Sequence, residues 1–115
     1  MLIQVQCHCG NVSLSAEYPP TEVTHCNCSI CRRYAAAWSY YGLDEVNVSV
    51  RSSSPKTYCW GDEDIEFHYC PNCGCVTHYV TTPKCAAKII AINMRMADKH
   101  TLENLPVRYV NGASF

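Results

Sequence analysis

Cysteine is the residue type in this sequence best suited to chemistry, because its thiolate binds soft metals and attacks electrophiles. The chain contains 10 cysteines in 115 residues, and seven of them lie in three groups with CxC and CxxC spacing. The groups are Cys7 with Cys9, then Cys26, Cys28 and Cys31, and lastly Cys70 with Cys73. In a reducing compartment, such spacing is typical of metal ligands rather than of disulfides. The spacings differ from ferredoxin motifs, so the sequence predicts zinc rather than an iron–sulfur cluster.

The sizes of the three groups predict two different kinds of zinc site. Structural zinc takes four protein ligands in a tetrahedron, whereas catalytic zinc keeps three and leaves one position open. If each group stays intact, only the two pairs sum to four ligands. We therefore expect two zinc ions per chain, one structural and one catalytic. The expected ligands are Cys7, Cys9, Cys70 and Cys73 for the first and Cys26, Cys28 and Cys31 for the second.

Other divisions of the cysteines stay open at this point. Cys75 can join the last group, and His25 can complete the triplet, although an adjacent residue in a strand points to the opposite face from Cys26. The alternative for Cys75 is a small core residue, and the alternative for His25 is a polar surface residue. Cys59 and Cys85 are isolated in the sequence, and we expect them to be buried free thiols.

A zinc ion with three thiolate ligands and an open position favours a thiol substrate, because the metal lowers the pKa of an incoming thiol. Arg32 and Arg33 directly follow the triplet, and a guanidinium is well shaped to pair with a substrate carboxylate. The alternative is that both are solvated surface charges. Trp38, Tyr40 and Tyr41 are candidates for the wall of a substrate pocket, or for core and sheet surface.

Short strands must position these cysteines. A glycine follows each cysteine pair, Gly10 and Gly74, and permits the sharp turn of a metal knuckle. One short helix is expected to begin near Ser29. The fold predicted is mainly β, with antiparallel sheets organised around zinc and one short helix at most. Strands are predicted over 2–5, 12–16, 46–50, 56–60, 65–69, 76–80 and 88–92.

The net charge and the lack of long apolar segments argue against nucleic acid and membranes as partners. The net charge is -1, which offers no basic surface for nucleic acid or anionic lipid. No segment is long and apolar enough to span a membrane, and the start has no secretory pattern. We therefore expect a single domain over residues 1–115, in the cytoplasm, that acts on a small molecule rather than on nucleic acid or membrane. The sequence makes no prediction about the oligomeric state.

Three segments, taken together and in order, resemble a known family. Residues 7–12 read CHCGNV, residues 26–33 read CNCSICRR and residues 67–74 read FHYCPNCG. In this order and spacing they resemble the glutathione-dependent formaldehyde-activating enzyme family, which includes centromere protein V. The resemblance runs from about residue 4 to about residue 95, which is most of the chain. Cys75 departs from it, because a small hydroxyl residue is more usual at that position.

The resemblance implies a β-tent fold, with a structural zinc on Cys7, Cys9, Cys70 and Cys73. It also implies a catalytic zinc on Cys26, Cys28 and Cys31. The implied reaction joins glutathione and formaldehyde into S-(hydroxymethyl)glutathione, which is a carbon–sulfur lyase activity. Two alternatives stay open: a non-catalytic zinc module that binds a macromolecule, and a redox-sensitive zinc thiolate protein.

Overall fold

Strands make up most of the regular structure of residues 2–114, the part of the chain that the computed structural model describes. Ten strands are connected by short loops and turns. They are β1 (Ile3–Gln6), β2 (Val12–Ala16), β3 (Val23–Cys26), β4 (Trp38–Gly42), β5 (Val46–Val50), β6 (Lys56–Tyr58), β7 (Ile65–Tyr69), β8 (Val76–Thr81), β9 (Ile89–Asn93) and β10 (Val107–Val110). The α-helices α1 (Ser29–Tyr34) and α2 (Lys99–Glu103) are each under two turns long. The prediction of a mainly β fold is confirmed.

The strands form two sheets. The smaller sheet has the strand order β1-β2-β5, and the larger has the order β10-β3-β4-β9-β8-β7-β6. Most neighbouring strands run antiparallel, as expected. The exception among the described strands is β10, which pairs with β3 in parallel and places Val110 opposite Cys26. The chain therefore returns at its end to the strand that carries the first cysteine of the triplet.

Two hydrophobic cores lie on opposite faces of the larger sheet. Side chains alternate between faces along a strand, so Ile90 and Ile92 of β9 enter one core and Ala91 enters the other. The first core fills the space between the two sheets and includes Leu14 of β2. The second core lies on the α1 side of the larger sheet and includes Trp38, Phe67 and Tyr79 in contact with Cys31.

The strand predictions hold best where apolar residues recur with strand-like spacing. The predicted strands 12–16, 46–50 and 65–69 have the observed bounds. Strands β3, β4 and β10 were not among the predicted strands. Strand β10 has little apolar pattern to detect, because Val107 and Tyr109 are both exposed on this edge strand.

The expectation of at most one short helix needs a correction, because α2 is a second one. Its N-cap is Asp98, whose Oδ1 accepts a hydrogen bond from the Thr101 backbone N–H at 2.8 Å. Such a cap satisfies an otherwise unpaired helical donor and stabilises even a single turn. Between residues 2 and 114, none of the helices has the length and apolar character needed to cross a membrane.

Candidate metal centres and substrate cavity

The two cysteine pairs sit in two matching turns, one after β1 and one after β7. In the first turn the Gly10 N–H donates to the Cys7 carbonyl at 3.0 Å, and in the second the Gly74 N–H donates to the Cys70 carbonyl at 2.8 Å. Both glycines have a positive φ, +81° and +80°, a conformation that costs glycine little and other residues much more. The backbone therefore makes the same sharp turn at both cysteine pairs, as predicted for two metal knuckles.

The knuckles bring four sulfur atoms together, although the pairs are far apart in sequence. The Sγ atoms of Cys7, Cys9, Cys70 and Cys73 all lie within 4.8 Å of one another. Cys7 Sγ is 3.7 Å from Cys9 Sγ, and Cys9 Sγ is 3.6 Å from Cys70 Sγ. A tetrahedron with zinc–sulfur bonds of about 2.3 Å has edges of about 3.8 Å. This four-cysteine group therefore fits zinc in both donor type and spacing.

Hydrogen bonds to sulfur support thiolate character in the four-cysteine group. Asn11 Nδ2 donates to Cys70 Sγ at 3.5 Å, and the Val12 N–H donates to Cys7 Sγ at 3.3 Å. Burial alone would raise the pKa of the Cys73 thiol, but hydrogen bonds from the backbone of Cys75 and Cys9 and from neighbouring thiols outweigh it and bring the pKa to about 6. Thiolates are the form that binds zinc.

The triplet is assembled by the end of β3 and the start of α1. Cys26 is the last residue of β3, Cys28 is the N-cap of α1, and Cys31 lies in its first turn. Their Sγ atoms lie within 4.8 Å of one another. The Cys31 N–H donates to Cys28 Sγ at 3.4 Å, and the Trp38 indole N–H donates to Cys31 Sγ at 3.4 Å. This three-cysteine group also has the donor set of a thiophilic metal site.

Residues 111–113 pack against the three-cysteine group. Asn27 Nδ2 donates to Asn111 Oδ1 at 2.9 Å, and the Ala113 N–H donates to Asn27 Oδ1 at 3.0 Å. Gly112 lies between these two contacts, and a Cβ added to it would overlap Cys26 Sγ. Only glycine permits so close an approach of backbone to sulfur at this position.

A cavity of 310 Å³ opens at the three-cysteine group. All three sulfur-bearing residues line it, and its other lining residues are Trp38, Tyr40, Asp62, Ile65, Tyr79 and Gly112. Tyr79 is held by Trp38 at a ring-centroid distance of 4.8 Å and by Phe67 at 5.6 Å. Burial, followed by the nearby Tyr40, raises the pKa of Tyr79 above its ordinary value, so its phenol stays protonated and able to donate.

The structure separates the two arginines that follow the triplet. Arg32 lines a second cavity, of 220 Å³, together with Cys26, Cys31 and Arg95. Arg33 donates from Nη1 to the Ser29 carbonyl at 2.8 Å, and it lines a different depression. Neither arginine lines the 310 Å³ cavity. Their role in substrate binding stays a prediction.

The structure also shows where the candidate aromatic residues and His25 lie relative to the 310 Å³ cavity. Of the aromatic residues proposed for the pocket wall, Trp38 and Tyr40 line the 310 Å³ cavity, whereas Tyr41 belongs to the first core and donates to the Tyr18 carbonyl at 3.2 Å. His25 is outside the three-cysteine group and packs edge-on against Tyr109.

The three remaining cysteines are outside both groups within residues 2–114. Cys75 packs half-buried against the first core, as its alternative reading expected. Cys59 and Cys85 are free thiols but only half-buried, not buried as expected, and Cys59 donates from Sγ to the Ile65 carbonyl at 3.2 Å.

Several lining residues were missed by sequence reasoning. Asp62 lies in a turn and Gly112 begins a short 3-10 helix, both far from the triplet in sequence, and only the fold brings them to the cavity. Tyr79 falls within a predicted strand, but no residue pattern says which face of that strand meets the cysteines. The cavity is therefore a product of the fold rather than of a local motif.

The comparisons with known proteins agree with this architecture. A family model described as "Glutathione-dependent formaldehyde-activating enzyme" matches residues 2–109. A crystal structure of a Rhodobacter sphaeroides protein, a structural genomics target, superposes with a TM-score of 0.74 and 22% identity, covering 92% of this chain and 100% of that chain. At this identity the likeness shows a shared fold. No curated protein matches the sequence.

Proposed function

This chain belongs to the glutathione-dependent formaldehyde-activating enzyme family, and on that premise we propose that it is a zinc-dependent carbon–sulfur lyase. The proposed substrates are a small-molecule thiol, glutathione first, and formaldehyde. The observation that carries the proposal is the three-cysteine group, whose Sγ atoms lie within 4.8 Å of one another at the wall of a 310 Å³ cavity.

The proposed reaction is the addition of a thiol to a carbonyl. A sulfur lone pair forms the new carbon–sulfur bond, the carbonyl π electrons move onto oxygen, and that oxygen gains a proton, which gives a hemithioacetal. The reverse reaction breaks the same bond. Zinc, when it is bound by Cys26, Cys28 and Cys31, would keep the thiol substrate deprotonated near neutral pH.

The residues around the cavity have distinct roles in this proposal. Trp38 holds Cys31 in place through its indole N–H, 3.4 Å from the sulfur, and such supporting contacts orient metal ligands. The Tyr79 phenol is protonated near neutral pH like any tyrosine, burial raises its pKa further, and in this proposal its O–H donates to the oxygen that becomes negative during addition. Trp38 and Ile65 supply apolar walls that limit water.

The four-cysteine group has a structural role in the proposal. Its members come from turns after β1 and β7, and Cys7 and Cys70 are fully buried in the first core, away from the 310 Å³ cavity. Four thiolates satisfy the metal completely and leave no position for a substrate. We assign one zinc ion to each group, two per chain, in a single domain that works in the reducing environment of the cytoplasm.

The experiment that tests this function measures the loss of free thiol by stopped flow after glutathione is mixed with formaldehyde. Zinc-loaded protein should accelerate the loss above the uncatalysed rate, and Cys28→Ser should return it to that rate. Cys85→Ser is the matched control, because Cys85 is also half-buried but outside both groups. No acceleration by the zinc-loaded protein, with glutathione or any other thiol, would contradict the proposal.

A further inference from the structure

A third cavity, distinct from the 220 Å³ cavity with Arg32, shares lining residues with the 310 Å³ cavity of the three-cysteine group. It has a volume of 370 Å³ and shares Trp38 and Tyr40 with the first cavity. It extends away from the cysteines toward Arg108 and the loop that carries Glu22. Trp38 and Tyr40 therefore border both cavities, and we call the 370 Å³ one the Arg108 cavity.

Strand register places Arg108 on the same sheet face as the triplet's first cysteine. Arg108 lies opposite Thr24 in the parallel pair of β10 and β3, and Thr24 and Cys26 are two residues apart on β3. Side chains two residues apart point to the same face, so Arg108, Thr24 and Cys26 share it. His25 and Tyr109 point to the opposite face, where the cavity with Arg32 lies.

Arg108 is held in place by two contacts, and within residues 2–114 most of its N–H donors have no hydrogen-bond partner. Its Nη2 donates to Thr24 Oγ1 at 3.3 Å, and its Nε is 3.9 Å from Glu22 Oε2. The two charged side chains are 54% and 50% exposed, and an exposed pair at this distance holds its partners weakly. A guanidinium has five N–H donors in a planar fork that suits a carboxylate.

We propose that Arg108 binds a carboxylate of the thiol substrate, with Glu22 placed to receive an ammonium group beside it. This inference rests on the proposed function and adds the residues, Arg108 and Glu22, that would select a thiol with charged groups. Two strand residues span about 6.6 Å, and neighbouring strands lie about 4.8 Å apart. The Cα atoms of Arg108 and Cys26 are then about 8 Å apart, on the same face of the sheet.

The test measures binding of S-methylglutathione by calorimetry, because this thioether keeps the charges of glutathione and has no thiol to react. Arg108→Gln should weaken its binding about tenfold, the size of one charge-assisted contact. Arg108→Lys should recover part of the loss. Arg51→Gln is the matched control, because Arg51 is also exposed but follows β5 in the smaller sheet, and it should bind like the wild type.

A second probe identifies the carboxylate as the group that is recognised. The dimethyl ester of S-methylglutathione lacks both negative charges, so Arg108→Gln should not weaken its binding further. Equal loss for acid and ester would overturn the proposal, and so would wild-type binding that Arg108→Gln leaves unchanged. Loss of binding with Arg32→Gln instead would move the anion site to the 220 Å³ cavity.

The outcomes also separate this proposal from the proposed function. Turnover that persists with small uncharged thiols, without binding of S-methylglutathione, would overturn the role of Arg108 and leave the lyase intact. Binding that depends on Arg108, without turnover of any thiol, would overturn the lyase and leave the subsite.

Discussion

The seven clustered cysteines differ in what surrounds their sulfur atoms. In the four-cysteine group, Cys7 and Cys70 are fully buried, and donors from Asn11 and Val12 contact their sulfurs. In the three-cysteine group, only Cys31 is buried, and all three members line a cavity. These different surroundings support the proposal that one group holds the fold and the other meets a ligand.

Serine substitutions should separate these tasks. Cys70→Ser removes a thiolate from the buried group and should unfold the domain, because structural zinc contributes about 10–16 kcal/mol, as much as the whole stability of a small domain, about 5–15 kcal/mol. Cys28→Ser should leave the melting temperature within a few degrees of the wild type. Circular dichroism during heating measures both. If both variants unfold alike, the two groups do not have separate roles.

The proposed role of the Tyr79 phenol, as a hydrogen-bond donor to the reacting oxygen, can be tested by substitution. Tyr79→Phe keeps the ring that packs between Trp38 and Phe67 but removes the donor to the developing negative oxygen. The turnover rate should fall on the order of 100-fold with little change in stability, as for other donors of this kind. Tyr58→Phe is the control, because Tyr58 lies in the depression beside Arg33. Unchanged turnover in Tyr79→Phe would remove Tyr79 from the mechanism.

Among the elements of the fold, β10 and residues 111–113 complete the triplet site. Strand β10 pairs with β3, and the segment after it is held by Asn27 through two hydrogen bonds of 2.9 and 3.0 Å. Gly112 in this segment approaches Cys26 so closely that no side chain fits. Residues 111–113 therefore help to shape the site, although they contain no cysteine.

Gly112→Ala tests this contact. The added methyl group would overlap Cys26 Sγ, so the segment must move away and the three-cysteine group should bind zinc less tightly, about 10- to 100-fold, as when other supporting contacts are lost. Competition with a coloured chelator measures the affinity. Asn27→Ala, which loosens the segment without overlap, should give a smaller loss in the same direction. Wild-type zinc affinity in Gly112→Ala would contradict this role.

Sequence reasoning went furthest where the signal was local. The knuckles at Gly10 and Gly74 and the strand after each could be predicted, because the cysteine spacing, the glycine and the alternation all lie within a few residues. Strand β10 and the contact of Gly112 with Cys26 could not, because they depend on a parallel pairing between segments more than 80 residues apart. The wall formed by Tyr79 is likewise a product of strand order.

At the scale of the whole molecule, the two cysteine groups lie with different cores on opposite faces of the larger sheet. The four-cysteine group joins turns that are 61 residues apart, as measured from Cys9 to Cys70, beside the core between the sheets. The three-cysteine group lies with the smaller aromatic core. Loss of metal from one face therefore need not disturb the other.

Stepwise removal of metal should reveal this independence. A mild chelator should take one zinc ion per chain, from the group with only three protein ligands, and abolish turnover while the fold persists. A strong chelator should take the second ion and unfold the domain, because the four-cysteine group contributes directly to folding. Zinc counting with parallel circular dichroism follows both steps. Release of both ions in one step, together with unfolding, would contradict the assignment.

In the proposed function, the four-cysteine group holds the fold and the three-cysteine group receives a thiol. The most direct test is nuclear magnetic resonance of the protein with ¹¹³Cd in place of zinc, because cadmium reports the ligands of each site separately. Two signals are expected, and added glutathione should move only one, the signal that Cys28→Ser removes. If neither signal moves, or if the signal that moves survives in Cys28→Ser, the claim is wrong.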